Sequence, residues 1–580
     1  MRCFICICAT ALLVACGQQQ STDSTAPAAT TASAAPAIAA TTPPATKPTR
    51  QGHFSPEIIA ADFAAHVQRL SSDEFEGRKP GSIGERMTTT YLVDQFQSMG
   101  LKPSNGGSYL QRVPMVETTL LDGDKITLYV AEGGNVEKFA YRADSIVGTW
   151  QDKPEVDLTG SDLVFAGYGV IAPEYQWNDY AGLDVKGKTV IVLVNDPGFG
   201  NGDETLFKGK SMTYYGRWTY KFEEAARQGA AGCLIVHETA AAAYPWEVVV
   251  NSWSGPQFNL LASEDPEPRM LVAGWITTDA ARRMFAKAGA DFDALKKSAD
   301  LRGFKSRLLA AKLSVHFRNL IRNTSSDNVV AILPGSKRPD EVIVYSAHWD
   351  HLGKSFSGDD RIFNGAIDNA SGVAAMLEIA DAFAHQQPPP ERSLLFLAPT
   401  LEEAGLLGSR YYSVHPAVPL VKTVANINMD ALQIIGRTHD MVIVGYGQSQ
   451  MDDYLKDALA AEHRVVAADG ESEKGFFYRS DQLNFARKGV PVLYANSGYD
   501  KLDGGVAAGR AAIDDYTRNR YHKPSDEYDP NWDLSGVIEN IQALHAIGKR
   551  LADESTYPQW NADSEFRAAR EAMMQKATAK

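Results

Sequence analysis

The sequence predicts an α/β protein with a mixed, mostly parallel open sheet carrying helices on both faces, and three observations point there. From about residue 325, apolar runs such as "NVVAILPG", "EVIVYSA", "SLLFLAPT", "TVANINMD", "MVIVGYG" and "VPVLYAN" alternate with helical stretches such as "SGVAAMLEIADAFAHQ" and "SQMDDYLKDALAAEH". Strands and helices laid down in turn build a sheet with helical cover on both sides. The 580 residues are 44% hydrophobic and 22% charged, the ordinary balance of a globular chain long enough for two or three domains. Polar residues gather just after the apolar runs, and open α/β sheets place their ligands outside the carboxyl ends of strands.

Along the chain, the first sixteen residues, "MRCFICICATALLVAC", combine one early Arg with an apolar stretch too short to span a bilayer and a small residue before Cys16. That is the pattern of a secretory signal. "LVAC" resembles the bacterial lipobox. The resemblance implies cleavage before Cys16 and a lipid on its thiol, and so an exported protein, facing the periplasm or cell surface, whose one hold on a membrane is that anchor, with the outer membrane as the expected site. A signal peptide that merely contains cysteines is the plain alternative. Residues 17–52 are rich in Ala, Thr and Pro; such a stretch cannot bury apolar surface and reads as a disordered tether with an end-to-end distance of ~30 to 36 Å. Of the five cysteines only Cys233 lies in the folded part, in "AAGCLIV", where it reads as a small buried hydrophobe, so no disulfide framework is expected. The 57 basic and 71 acidic residues leave a net charge of -14 with no Lys/Arg block. Such a field opposes phosphate backbones, which excludes nucleic acid as an expected partner.

Residues 53–101 show helical spacing around a Gly/Pro break at Lys79 to Gly81. From about 115 to 300 the texture changes to short apolar runs with Gly and Asp turns, and "KFEEAARQGAAGCLIVHE" reads as a helix feeding a buried strand. Glu223 and Glu224 in that helix read as solvated surface.

The chemistry-bearing residues sit at the ends of the later apolar runs. "VIVYSAHWDHLG" (342–353) stops at His348, Asp350 and His351, groups costly to bury without partners. A His-x-acid triplet arises by chance about once or twice in a chain of this composition, so it needs company. "NGAIDNASGVAAM" places Asp368 in a turn before a helix, where Asn369 or Ser371 reads as the helix cap; "LLFLAPTLEEAG" ends a strand in Glu402 and Glu403; "VANINMDAL" carries Asp430; and "RYHKPSDEYD" carries Tyr521 and His522 in a loop. His348, Asp368, Glu403, Asp430 and His522 make five candidate ligands without a thiolate, a set that suits Zn²⁺, with Mn²⁺ and Co²⁺ as alternatives. Five groups exceed one open tetrahedral site and suit two ions with one carboxylate bridging. Residues i and i+2 of an extended strand project to one side, so Asp350 is expected to accept the other ring proton of His348 and orient it. His351 receives no role.

In order and spacing, "SAHWDHLG", "NGAIDNASG", "LEEAGLLGS", "NINMD" and "YHKPSDEYD" resemble the di-zinc peptidases of metallopeptidase family 28, which includes bacterial aminopeptidases, glutamate carboxypeptidase and the transferrin receptor. The resemblance covers about residues 53–560 and implies a phosphorylase/hydrolase-like zinc peptidase core that acts on peptide substrates. It implies two Zn²⁺ ions bridged by Asp368, with His348 and Asp430 completing one site and Glu403 and His522 the other. Glu402 is the implied general base acting on a metal-activated water, and Tyr521 matches a position that polarises the scissile carbonyl in some members. Gly167-Tyr168-Gly169, Asp179-Tyr180, Val185 to Lys188 and the run from Glu224 resemble a protease-associated domain, a β-rich insert found in several secreted peptidases. The implied division is 1–16 signal, 17–52 tether, 53–139 with 301–560 catalytic domain, 140–300 insert and 561–580 tail. Two departures are Ile367, where many relatives carry a polar or smaller residue, and Gln482, where histidine is common. Removal of N-terminal residues is the expected activity. The alternatives are a carboxypeptidase in which Arg361 and Arg479 bind a terminal carboxylate, both otherwise reading as surface salt-bridge partners, a receptor-like binding module, and a cyclase-like transferase.

Overall fold

The computed structural model describes residues 54–355 and 359–578; the expected signal, Cys16 and the tether to residue 52 lie outside the described residues. Four strands of the main body run parallel and side by side in the order Arg392–Ala398, Arg338–Ser346, Thr423–Asn428, Val492–Ser497. Strand Asp440–Ile443 adds on antiparallel to the last of these, and the end of strand Arg307–Leu333 closes the other side antiparallel to Arg392–Ala398. The sheet is therefore mixed and mostly parallel.

The strands read as unbroken apolar runs because each is buried on both faces with a period of two. Ile343, Tyr345, Leu394 and Phe396 pack into one cluster with Met376 and Ile379 of helix Gly372–His385 and Ile541 and Leu544 of helix Ser535–Asp553. Val342, Val344, Leu395 and Leu397 turn the other way, onto Tyr412 of helix Leu407–Val414 and Phe485 of helix Gln482–Arg487. Each such side chain contributes about 2 kcal/mol of burial, so a slip of one residue would move a strand's whole set to the wrong helices.

A second apolar cluster extends from Ile126 to Phe317. Parallel strands Thr189–Leu193, Gly232–His237 and Val272–Thr277 form its centre, with helices Trp218–Arg227 and Thr278–Lys287 against them. Cys233 is buried there as a free thiol. The cluster takes in strands Thr127–Glu132 and Asn135–Ala140 and residues Leu309 to Phe317, which boundaries at 140 and 300 assign to the main body. Strand Arg307–Leu333 explains the difference: its first half pairs with Glu155–Phe165 of the insert and its last five residues, from Val329, with Arg392–Ala398, so one continuous strand passes from one core to the other. Residues 561–580, expected as a tail, contain helix Arg567–Thr578, whose buried Arg570 donates from Nη2 to the Thr423 carbonyl at 3.1 Å.

Helix Trp218–Arg227 is wedged between the two bodies, which overturns the expectation for Glu223 and Glu224. Both are buried, Glu223 to 3% exposure. Arg487 of the main body donates to Glu223 at 2.8 Å, with Arg410 at 3.8 Å, and Arg227 donates to Glu224. Helical periodicity shows which residues are polar, but not that a second body lies over the polar face.

Candidate metal centre

Strand register brings the predicted residues together. Ser346 stands opposite Leu397 on one side and Asn428 on the other, so the segments holding His348, Glu402 with Glu403, and Asp430 leave neighbouring strands at one carboxyl edge. Asp368 reaches the same place from the turn Ala366–Ser371 at the head of helix Gly372–His385. Asn369 Oδ1 accepts from the Gly372 and Ala431 amides at 3.0 and 3.2 Å; one side chain caps the helix and ties the Asp368 turn to the Asp430 turn.

The two oxygens of Asp368 face opposite ways. Oδ1 lies 3.3 Å from His348 Nε2, which is 3.2 Å from Asp430 Oδ1. Oδ2 lies 3.1 Å from His522 Nε2, which is also 3.1 Å from Glu403 Oε2. His348, Glu402 and Asp430 offer atoms within 4.8 Å of one another, and so do His351, Asp368 and Glu403. Leu401, Ala431 and His522 have φ of 58°, 48° and 56°. Non-glycine residues in the left-handed region cost about 1 kcal/mol or more and persist where the surroundings over-determine them, and here they flank or form the cluster.

The expected orientation of His348 is corrected in detail. Its Nδ1 donates to the backbone carbonyl of Asp350 at 3.1 Å, while the Asp350 carboxylate is 3.8 Å away and accepts instead from the Glu402 amide at 3.1 Å. The turn after residue 348 folds the main chain under the ring before the side chain can reach it. Tyr521 is 42% exposed and stacks on the His522 ring at 4.0 Å. Ile367 is buried and donates its amide to Asp526, and Gln482 is locked by Asn428 and the Phe477 carbonyl. Arg361 is exposed. Arg479 lines the cavity that contains the cluster and, among the described residues, has no salt bridge, so the surface ion pair expected for it is not found there.

Three residues given no role hold the cluster in place. Arg78, fully buried, donates to the carbonyls of Trp349, Leu70, Asn364 and Gly365 at 2.6 to 3.0 Å. Asp526 accepts from the Ile367 and Asp368 amides at 3.1 and 3.0 Å. His351 Nδ1 lies 2.6 Å from Glu403 Oε1. The available signals were weak: an Arg beside a Gly/Pro break, a second acid in the "YHKPSDEYD" loop, and a second His in "HWDH".

Electrostatically the cluster is an acid-rich pocket. Burial opposes charge on His348, but Glu402, Asp430 and Asp368 outweigh it and hold the imidazole well above its usual range. Despite burial, His522 and His351 hold Glu403 down to about 2. Adjacent Glu402 is pushed well above the carboxylate range by burial and by Asp430 and Glu403, against the pull of His348. Four carboxylates and three imidazoles, with no thiol among them, fit the donor set of a zinc-type cation. Cations at this edge would relieve the carboxylate repulsion. The cluster opens into a cavity of about 840 Å³ lined from both bodies.

The chain is 38% identical over 105 residues to a probable zinc metalloprotease of Pyrenophora teres f. teres, covering 18% of this chain and 22% of that one. It is 29% identical over 224 residues to leupeptin-inactivating enzyme 1 of Streptomyces exfoliatus, covering 38% and 46%. The chain thus spans about a fifth to a half of the length of these curated relatives. Among solved structures it is similar to an aminopeptidase from Aneurinibacillus sp. strain AM-1, with a TM-score of 0.46 and 20% identity over 86% of this chain and 96% of that one. Residues 328–545, which contain every residue of the cluster from His348 to His522, match the family described as Peptidase family M28.

Proposed function

We propose that the chain is a zinc-dependent exopeptidase that removes N-terminal residues from peptides. The observation that carries the reading is Asp368, whose two oxygens face His348 with Asp430 on one side and His522 with Glu403 on the other. In this reading two zinc ions would be held by Asp368, with His348 and Asp430 on one side of it and Glu403 and His522 on the other. The ions would lower the pKa of water and polarise the scissile carbonyl. Glu402 takes a proton from the attacking water on its carboxylate and delivers it to the departing amine. His351 holds Glu403 through Nδ1, Arg78 and Asp526 fix the backbone on either side of His348 and Asp368, and Tyr521 reaches the substrate carbonyl from its place over His522. Asp469 and Glu471 line the same cavity, adding negative charge that favours a substrate α-ammonium. Names of relatives support the reading, "probable zinc metalloprotease" and "aminopeptidase" among them. Export and anchoring through a lipid on Cys16 belong to the same proposal.

The test is hydrolysis of aminoacyl anilides against N-blocked peptides, with zinc stoichiometry measured on the same sample. We expect cleavage of free-amine substrates only, loss of activity with a chelator, and recovery on adding Zn²⁺. Chelator-resistant hydrolysis, or equal cleavage of blocked peptides, contradicts the proposal.

A further inference from the structure

We propose that Arg217 and Arg479 form a carboxylate-binding subsite in the cavity beside the metal centre, which receives a carboxylate of a short peptide substrate; this rests on the exopeptidase reading. The two residues come from different bodies. Arg217 immediately precedes helix Trp218–Arg227 in the insert without capping it through its side chain, and Arg479 follows the turn Phe476–Tyr478 in the main body. Both line the cavity that holds Glu402, Asp430 and His522, with Tyr244 beside them.

Neither guanidinium is satisfied by protein. Among the described residues, Arg217 Nε and Arg479 Nε and Nη2 are shut from solvent without a hydrogen-bond acceptor. Other arginines at the border between the bodies are paired: Arg487 with Glu223 at 2.8 Å, Arg410 with Asp265 at 2.9 Å and Arg227 with Glu224 at 2.8 Å. Folding therefore pairs its border cations where the border is structural and leaves two unpaired where it faces the cavity. Buried donors left unmade are costly, and two like charges close together add repulsion: burial, then the Arg479 charge, push Arg217 down to about 10, and burial lowers Arg479 as well. Both stay cationic near neutral pH. Arg479 is held over the Phe476 ring at 5.1 Å, which fixes its plane. A planar guanidinium fork matches a carboxylate, and a cavity of about 840 Å³ is in the range that encloses a small ligand. A peptide of two or three residues could place its α-ammonium among the acids and a carboxylate at the arginines.

The carboxylate has two possible sources, the peptide C-terminus and an acidic side chain, and two substrate pairs separate them. Leucyl-leucine against leucyl-leucinamide reads the terminus; glutamyl anilide against glutaminyl anilide reads the side chain. In the zinc-loaded parent, one pair should show a kcat/KM ratio of about ten or more in favour of the acid, and Arg217→Gln with Arg479→Gln should bring that ratio down about tenfold, mostly through KM. Arg479→Lys should recover part of it. Zinc content and thermal midpoint of each variant report folding. A ratio near one for both pairs in the parent overturns the proposal without any variant, and so does a ratio unchanged in a folded, zinc-loaded double variant. Equal cleavage of N-acetyl-leucyl-leucine would remove the aminopeptidase reading while leaving the ratio test intact. If nothing is hydrolysed, calorimetric binding of leucyl-leucine against its amide reads the arginines directly, and equal affinities overturn the proposal.

Discussion

Two adjacent glutamates, Glu402 and Glu403, sit on one strand end in opposite environments. Glu403 is pinned by His351 and His522, whereas Glu402 has His348 Nε2 4.0 Å from its carboxylate and opens to the cavity. Replacing Glu402 with Ala should leave zinc stoichiometry at the parent's level and lower kcat by about 10² to 10⁴; zinc lost in step with activity would make Glu402 a ligand instead. Arg78 acts through main-chain carbonyls on both sides of the cluster. Arg78→Met leaves the buried carbonyls of Leu70, Trp349 and Asn364 unpaired, while Gly365 keeps the Ala370 amide at 3.1 Å; this should cost at least about 3 kcal/mol in denaturant titration and weaken zinc binding about 10- to 100-fold. Unchanged zinc affinity would reduce Arg78 to a folding role. These residues also mark where the sequence stops being legible. His348, Asp368, Glu403, Asp430 and His522 interrupt apolar strands or sit in turns, so each is visible as an exception. Arg78 and Asp526 bind backbone, and a side chain that reads backbone leaves no pattern in the sequence around its partner.

At the level of elements, the period-two alternation that buries Ile343 and Tyr345 on one face and Val342 and Val344 on the other is what made the parallel strands readable. Where elements end and which core they join was less readable, because strands Thr127–Glu132 and Asn135–Ala140 carry no mark of the body they pack on. Helix Ala60–Leu70 shows another limit: the sequence carries no signal for its His66, which is fully buried, 2.6 Å from the Tyr91 hydroxyl and stacked on Phe54. Burial pushes this imidazole down to about 3 from 6.5. Glu378, 3.8 Å away, is itself pushed up to about 8 by burial and offers no counter-charge. With the folded pKa depressed, the unfolded chain takes up the proton first. The contribution of His66 is therefore complete above pH 6.5 and is lost, at up to about 1.4 kcal/mol per pH unit, as pH falls toward 3. Stability measured at pH 7 and pH 5 should fall more in the parent than in His66→Gln, and equal slopes would refute the assignment.

The whole molecule is organised by one shared strand. Strand Arg307–Leu333 and strand Leu110–Leu121 run as a long antiparallel pair, with Arg318 opposite Leu121 at the point where the insert begins. Most of the chain between those two residues belongs to the second core or roofs the cavity, including Arg217, Trp218 and Trp253, while Met212 and Leu260 pack against the main body. The register offers a clean excision: replacing 122–317 with Asn-Gly joins two directly paired residues through a turn that suits the twist of a hairpin. Cutting only 140–300 would strand Ile126 to Phe139 and Leu309 to Phe317 without their core. The five candidate ligands all lie outside the excised stretch, so the shortened chain should keep the parent's zinc stoichiometry. Its cavity loses one wall, and we expect N-terminal residues to be released from casein at least tenfold faster while the preference for a substrate carboxylate drops to near one, since Arg217 has gone. Zinc-loaded protein that still refuses casein would show that access is limited by the main body's own loops, and that the insert does something other than admit short peptides and turn away long ones.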